Sequence, residues 1–330
     1  MKDVAALAAV SLSTVSRAVN RDPNVAPELA ERVRRAVELL GYQRDEAASA
    51  LRRADRVSAS LAVIVEDVAN PFFSAVHRGV EDYARERGVL TFAGSSDDDA
   101  QRERALAEAF VARRVDGLVI APGGNDHRYL EREHAARLPL VFVDRPAQWI
   151  EADAVVTDNA GGARSAVEHL LAASHRRIAY LGDRAWLYTA GERLRGYRAA
   201  LHGAGEVVYQ DLSEERAYAV TCELLSLEEP PTALFSSQNL VTRGSVRALH
   251  DLGARERVAH VGFDDLPLAD ALVPGLTVVA QDPYALGRTA AELVFARLDG
   301  EDGPPRRIVL PTRLIPRGSG ELPASAGASG

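Results

Sequence analysis

The stretch that decides the reading is Lys2-Asp3-Val4-Ala5, followed by Val10-Ser11-Leu12-Ser13-Thr14-Val15-Ser16-Arg17-Ala18-Val19-Asn20. Val4, Leu7 and Ala8 fall at i, i+3 and i+4, the spacing of one helix face, and predict a short helix over residues 2–9. Val15 and Val19 share one face of a second helix over 13–20, with Ser11 placed to cap it. Leu29, Val33, Ala36, Val37 and Leu40 predict a third over 28–40. The links are so short that the three must fold on one another around a very small core. The second helix exposes Leu12, Ser13, Ser16, Arg17 and Asn20, which are mostly short polar groups plus one long cation. That set suits a helix entering the major groove, where arginine pairs with guanine and small side chains allow close approach. Ser11, Thr14 and Ser16 can donate to phosphate oxygens. On spacing alone, a surface helix with a polar face is an equal alternative.

Charge supports the first reading weakly. The chain of 330 residues carries a net −8, but residues 1–57 are at +2 and the rest at −10. A mildly basic head on an acidic body can meet phosphates while the body avoids them. The only cysteine is Cys222, so no internal disulfide can form, and no apolar run reaches the length of a membrane span or a signal peptide. These features point to a cytoplasmic protein.

Beyond the head, residues 45–53 form a fourth helical stretch capped by Asp45, too short to be stable alone. From Leu61 the texture changes. Strand-like apolar runs at 61–65, 89–93, 117–121, 139–143, 178–181, 233–236 and 258–262 alternate with amphipathic stretches at 72–87, 100–113, 161–173, 191–202, 216–225, 241–252 and 284–298. Such alternation predicts parallel sheets covered by helices on both faces. About 260 residues of it predict two lobes. Residues 321–330 are small and polar and read as a disordered tail.

The first segment resembles the headpiece of the LacI/GalR family of bacterial repressors. The resemblance continues through Val25, Glu31-Arg32-Val33, Leu40-Gly41-Tyr42 and Ala47-Ala48-Ser49-Ala50-Leu51-Arg52, and reaches Leu314-Ile315-Pro316-Arg317-Gly318-Ser319. It implies an all-α helix-turn-helix head over 1–44, a hinge helix and linker over 45–59, and an α/β periplasmic-binding-protein-like domain of two Rossmann-like lobes over 60–320 that binds an effector and dimerises. It also implies a transcriptional repressor acting as a homodimer on a near-palindromic operator in double-stranded DNA. Leu12, Ser13 and Arg17 would read base edges; Ser11, Thr14, Ser16, Asn20, Asn24 and Tyr42 would hold the backbone. Ala48 and Leu51 would lie on the hinge helix, with Leu51 wedging into the minor groove. Three positions depart from the family pattern. Ala9 stands where glycine is usual in the turn, Ala26 replaces a capping Ser or Thr, and Asp45 replaces an asparagine.

Ligands of doubly wound sheets sit beyond the carboxyl ends of the strands. By the same resemblance Phe73, Asp144, Arg145, Arg193, Gln238, Asp264 and Gln281 would line a cleft for a small polar effector, a sugar or nucleoside-like molecule. The residue types fit: Phe73 can stack on a ring, and Arg193 with Asp264 can share hydroxyls or ring nitrogens. Phe73 as plain core and Arg193–Asp264 as an ion pair between lobes are the alternatives. Gln238-Asn239 stands where Asn-Asp is usual, and Leu212 where sugar-binding members often place an aromatic.

No phosphate-binding loop, dinucleotide fingerprint or nucleophile elbow is present. His127 and His134 flank Glu131 and Glu133, but a solvated charged helix explains them better than a metal site. No metal, cofactor or enzyme activity is expected. A ligand-binding module without DNA function leaves residues 1–57 unexplained, and a small-molecule enzyme lacks a catalytic constellation.

Overall fold

The computed structural model describes residues 1–19, 22–42, 58–201 and 206–324. The chain divides into two compact units, Met1–Ser58 and Ala59–Gly330.

In the first unit, α1 (Lys2–Leu7), α2 (Leu12–Val19) and α3 (Pro27–Leu39) close around Val4, Ala5, Ala8, Val15, Val33 and Ala36. Half-buried Val10, Val19, Val37 and Tyr42 pack onto that core. α1 ends with Val10 N donating to Ala5 O across Ala9, which is left-handed at φ 47°. This is the helix stop that favours glycine. Arg32 of α3 steadies the turn by donating to Ala8 O at 2.6 Å and Ala9 O at 3.2 Å. α3 starts at Ala26, which offers no side-chain cap, with Pro27 at the first helical position.

The second unit holds two sheets. The N-lobe sheet runs β11-β5-β4-β3-β1-β2, from Arg307–Leu310, Asp153–Thr157, Leu140–Val143, Gly117–Ile120, Ser60–Val65 and Leu90–Ser95, and is parallel throughout. The C-lobe sheet runs β12-β10-β9-β8-β6-β7, from Arg313–Ile315, Thr277–Ala280, Ala259–Phe263, Ala233–Ser236, Ile178–Leu181 and Val207–Tyr209, with only β12 antiparallel. α4 (Pro71–Glu86), α5 (Ala100–Ala112) and α11 (Pro283–Leu298) cover the N-lobe sheet, with the short α6 (Glu131–Ala135) beside it. α7 (Asn159–Ala172), α8 (Tyr188–Leu201), α9 (Glu214–Leu225) and α10 (Asn239–Asp251) cover the C-lobe sheet.

Both faces of each sheet are apolar, which is why the central strands read as continuous hydrophobic runs. α4 and α11 touch backbone to backbone at Gly79 and Gly287, where any Cβ would meet the opposite main chain. The chain crosses between lobes three times: after β5, after β10 and after β11.

Five strands lie outside the predicted runs: β5, β7, β10, β11 and β12. The tail expectation also needs correction over 321–324. His175 Nε2 lies 2.8 Å from Leu322 O, Thr277 Oγ1 donates to Glu321 Oε2 at 2.9 Å, and Ala324 N donates to Ala173 O. These bonds anchor a segment whose polar composition suggests freedom. Among the described residues, no helix is long and apolar enough to cross a membrane.

Candidate functional site

Two places collect the predicted site residues. In the head, Ser11 Oγ accepts from Thr14 N at 3.1 Å and caps α2. Ser13 Oγ at 2.7 Å and Thr14 Oγ1 at 2.8 Å gather three hydroxyls at that helix start. Leu12 is 46% exposed, an apolar side chain held out on the polar face. Ser16 is half-buried and Arg17 and Asn24 are exposed. Arg17 Nε donates to Asp22 Oδ2 at 2.8 Å. Tyr42 packs into the head core. Asn20, Ala48 and Leu51 lie outside the described residues.

In the second unit, one cleft between the lobes is lined by Glu66, Asn70, Phe72, Phe73, Asp144, Arg145, Asp183, Thr189, Arg193, Gln238, Asn239, Asp264 and Gln281. All seven predicted effector residues are among them. The N-lobe residues stand at strand ends. Asp144, at φ 68°, and Arg145 follow β4. Asn70 caps α4 by accepting from Phe72 N at 3.1 Å and so sets the two rings at the cleft edge. Phe73 is buried and belongs to the N-lobe core, the alternative reading, while half-buried Phe72 meets it edge-on at 5.1 Å.

The C-lobe wall is built around Arg193, which is buried. Its Nε donates to Asn159 Oδ1 and its Nη1 to Ser237 O, both at 2.7 Å, and its guanidinium lies 4.0 Å from the Phe263 ring centre. Asp264, at φ 76° after β9, accepts from Gln281 Nε2 at 2.6 Å. An Arg193–Asp264 ion pair across the lobes is corrected on two counts: both residues belong to the C-lobe, and among the described residues no ion pair joins them. Gln238 spends its Oε1 capping α10, accepting from Leu240 N at 2.6 Å and Val241 N at 3.1 Å. Its neighbour Asn239 crosses the cleft instead, donating from Nδ2 to Asn70 Oδ1 at 2.7 Å.

Charge in the cleft is concentrated. Arg145 donates to Asp98 Oδ1 at 2.7 Å, Pro122 O at 2.8 Å, Glu66 Oε2 at 3.1 Å and Asp144 Oδ2 at 3.2 Å. Arg184 of the C-lobe reaches the same two carboxylates, Glu66 Oε1 at 3.0 Å and Asp98 Oδ2 at 2.5 Å. Burial, seconded by the Asp98 charge, pushes the Glu66 carboxyl up to about 7. Burial also raises the carboxyls of Asp144 and Asp264, against the pull of Arg145 on Asp144 and of Arg193 on both. The residues that sequence reasoning missed here are Glu66, Asp98, Asp183 and Arg184; their only signal is position just after β1, β2 and β6. Leu212 is a core residue of the C-lobe. His127 is corrected as well. It is fully buried rather than on a solvated helix, accepting from Gln148 N at 2.9 Å and meeting Phe142 edge-on at 5.1 Å.

The family of this architecture is fixed by comparison. The family model "Bacterial regulatory proteins, lacI family" matches residues 1–45, and "Periplasmic binding protein-like domain" matches 167–320. The ribose operon repressor of Halalkalibacterium halodurans is 31% identical over 96% of this chain and 96% of its own length. The chain belongs to the lacI family of bacterial regulatory proteins. This lacI-family member is therefore a DNA-binding transcriptional regulator, and its two sheets are the two lobes of the family's periplasmic-binding-like domain. A Lac repressor dimer bound to operator and the anti-inducer ONPF superposes with a TM-score of 0.84 at 25% identity, over 97% of this chain and 98% of that one. A LacI family regulator from Enterococcus faecium with bound ribose superposes at 0.72 and 27% identity, over 81% and 99%.

Proposed function

We propose that this regulator is a homodimeric cytoplasmic repressor, without enzyme activity, whose affinity for a near-palindromic operator is set by a small, donor-rich effector bound between the lobes. The observation that carries the effector reading is the inventory of hydrogen-bonding atoms in the cleft. Arg145 is engaged by protein acceptors through Nε, Nη1 and Nη2, and Arg193 through Nε and Nη1. Asn239 Oδ1 and Gln281 Oε1 are buried without a partner among the described residues, beside the carboxylates of Asp144 and Asp264. A wall rich in acceptors recognises hydroxyls and ring N–H groups, and the Phe72 and Phe73 rings offer a face for stacking. Sugars and nucleoside-like molecules have this chemistry. Phe73, Asp144, Arg145, Arg193, Gln238, Asp264 and Gln281 are its contacts, and the similarity to a ribose operon repressor puts pentoses first in the search.

The cavity among these residues is about 30 Å³, room for about one or two waters. A ring-sized ligand enters only when the lobes part, so occupancy and lobe angle are coupled. That coupling passes to the operator through the hinge over 45–59, where Ala48 and Leu51 lie, and through the dimer. Leu12, Ser13 and Arg17 read bases, while Ser11, Thr14, Ser16, Asn20, Asn24 and Tyr42 hold phosphates. The head over 1–44 and the effector and dimerisation domain over 60–320 are the working parts.

The test is fluorescence-anisotropy binding to duplexes from upstream of the protein's own and adjacent genes, across a salt series, with residues 58–330 as control. Sequence-selective, salt-sensitive binding lost in the truncation and weakened in Leu51→Ala supports the reading. Binding no better than to random duplex refutes it. A thermal-shift screen of pentoses, hexoses and nucleosides, with Arg193→Ala as control, tests the effector half separately.

A further inference from the structure

Arg17 is the only charged residue of α2, and its reach decides what it can touch. It does not swing freely. Its Nε donates to Asp22 Oδ2 at 2.8 Å. Asp22 is itself fixed: its Oδ1 accepts from Asn24 N and from Asn24 Nδ2, both at 2.9 Å, and its backbone N donates to Arg17 O at 3.0 Å. Both carboxylate oxygens are thus occupied, one by the arginine and one by the loop that leads to α3. The bond from Arg17 holds the Asp22 carboxyl below its usual range, so it is ionised wherever the protein works.

An acid beside a DNA-reading helix is unfavourable for affinity, because it repels phosphates. A pair this exposed also adds little to stability. Its consequence lies in direction. A guanidinium gripped at Nε keeps its two terminal nitrogens as a fork, and a fork is what guanine O6 and N7 accept. Among the described residues, neither terminal nitrogen of Arg17 makes a hydrogen bond.

We propose that Asp22 is a positioning residue for base recognition: it aims Arg17 at one guanine in each half-site, trading overall DNA affinity for discrimination. The proposal rests on α2 being the reading helix. It names Asp22 as a determinant of specificity although Asp22 touches no base.

The experiment is selection from a randomised duplex library by the full-length protein and by Arg17→Ala, Asp22→Asn and Asp22→Glu. Affinities are then measured for the winning duplex and its single-base variants over a salt series. Asp22→Asn keeps an acceptor for Asn24 but puts an amide against Arg17 Nε. The parent should enrich a motif with one guanine per half-site whose preference Arg17→Ala abolishes. Asp22→Asn should lose about tenfold of the preference at that position and at no other, while its affinity for unrelated duplex rises a few-fold. Asp22→Glu should restore part of the preference. The proposal is overturned if Asp22→Asn keeps the guanine preference, if Arg17→Ala leaves the motif intact, or if Asp22→Asn flattens every position together with a lowered melting temperature. A parent that enriches no motif overturns the DNA-reading assignment of α2 as well, and is told apart by that result.

Discussion

Arg184 Nη2 lies 3.0 Å from Glu66 Oε1, and this ion pair joins the two lobes. Glu66 also holds Arg145 of its own lobe at 3.1 Å, so one carboxylate is shared between a cleft residue and the opposite wall. Asp98 is shared in the same way. Closure of the lobes is therefore written into the charges at the cleft mouth. Replacing Arg184 by glutamine should leave two buried carboxylates short of a partner, at a cost of about 1–2 kcal/mol. The lobes should part more often, raising the radius of gyration in solution scattering, and the melting point of the second unit should fall by about 2–6 °C. Unchanged scattering would mean that the lobes stay shut without the latch.

The raised carboxyl of Glu66 gives stability a pH signature. Its value in the folded protein, about 7, lies above its ordinary 4.5, so folding favours the protonated form. The folded state then holds more protons than the unfolded state between those two values, and stability falls as pH rises through that window. The contribution is complete below about 4.5 and gone above about 7. Plotted against pH, the stability difference between parent and Glu66→Gln should slope downward by up to about 1.4 kcal/mol per unit between pH 5 and 7. A flat difference would place the Glu66 carboxyl back in the ordinary range.

Ala9 adopts φ 47°, a left-handed conformation that an alanine side chain disfavours. Glycine relieves that strain at some cost in unfolded-state freedom, for a net gain of about 0.5–1 kcal/mol. In Ala9→Gly, amides of α1 and α2 should exchange with solvent about two- to fivefold more slowly. Faster exchange would show that Arg32 already holds the turn without strain.

Ala26 begins α3 with no side-chain acceptor for the first free amides. Ala26→Ser should add about 1 kcal/mol to the head, and the new hydroxyl should also strengthen DNA binding a few-fold through phosphate contact. The two effects separate cleanly. Exchange protection of α3 reports the cap, and anisotropy at two salt concentrations reports the phosphate contact.

The head is legible in the sequence because its core is local: Val4, Val15 and Val33 meet through short turns, and their spacing alone sets the faces. The central strands are legible because they are buried on both sides. β11 and β12 are not. They follow the charged and Pro-rich stretch over 301–306, are only half-buried, and find their partners far away, β11 pairing Ile308 with Val155. The cleft divides in the same way. Asp144, Arg145 and Asp264 are visible as charges placed directly after apolar strands. Glu66, Asp98 and Arg184 become a group only once the lobes meet, and no spacing along the chain reports that. Asn239 rather than Gln238 makes the contact across the cleft, because a helix cap claims the first of the two amides.

The three crossings between lobes bear on how the chain is made. The N-lobe sheet begins at Ser60 but waits for α11 and β11, which span Pro283–Leu310. Nearly all of the C-lobe leaves the ribosome in between. The DNA-reading head can finish folding once the chain is made through Tyr42, whereas β3, β4 and β5 remain uncovered by α11 until Pro283–Leu298 follows. A message cut short before residue 283 would thus yield a complete reading head attached to two unfinished lobes. Domain-wise folding from the N-terminus, the usual safeguard of a growing chain, protects the head of this regulator but not its sensor.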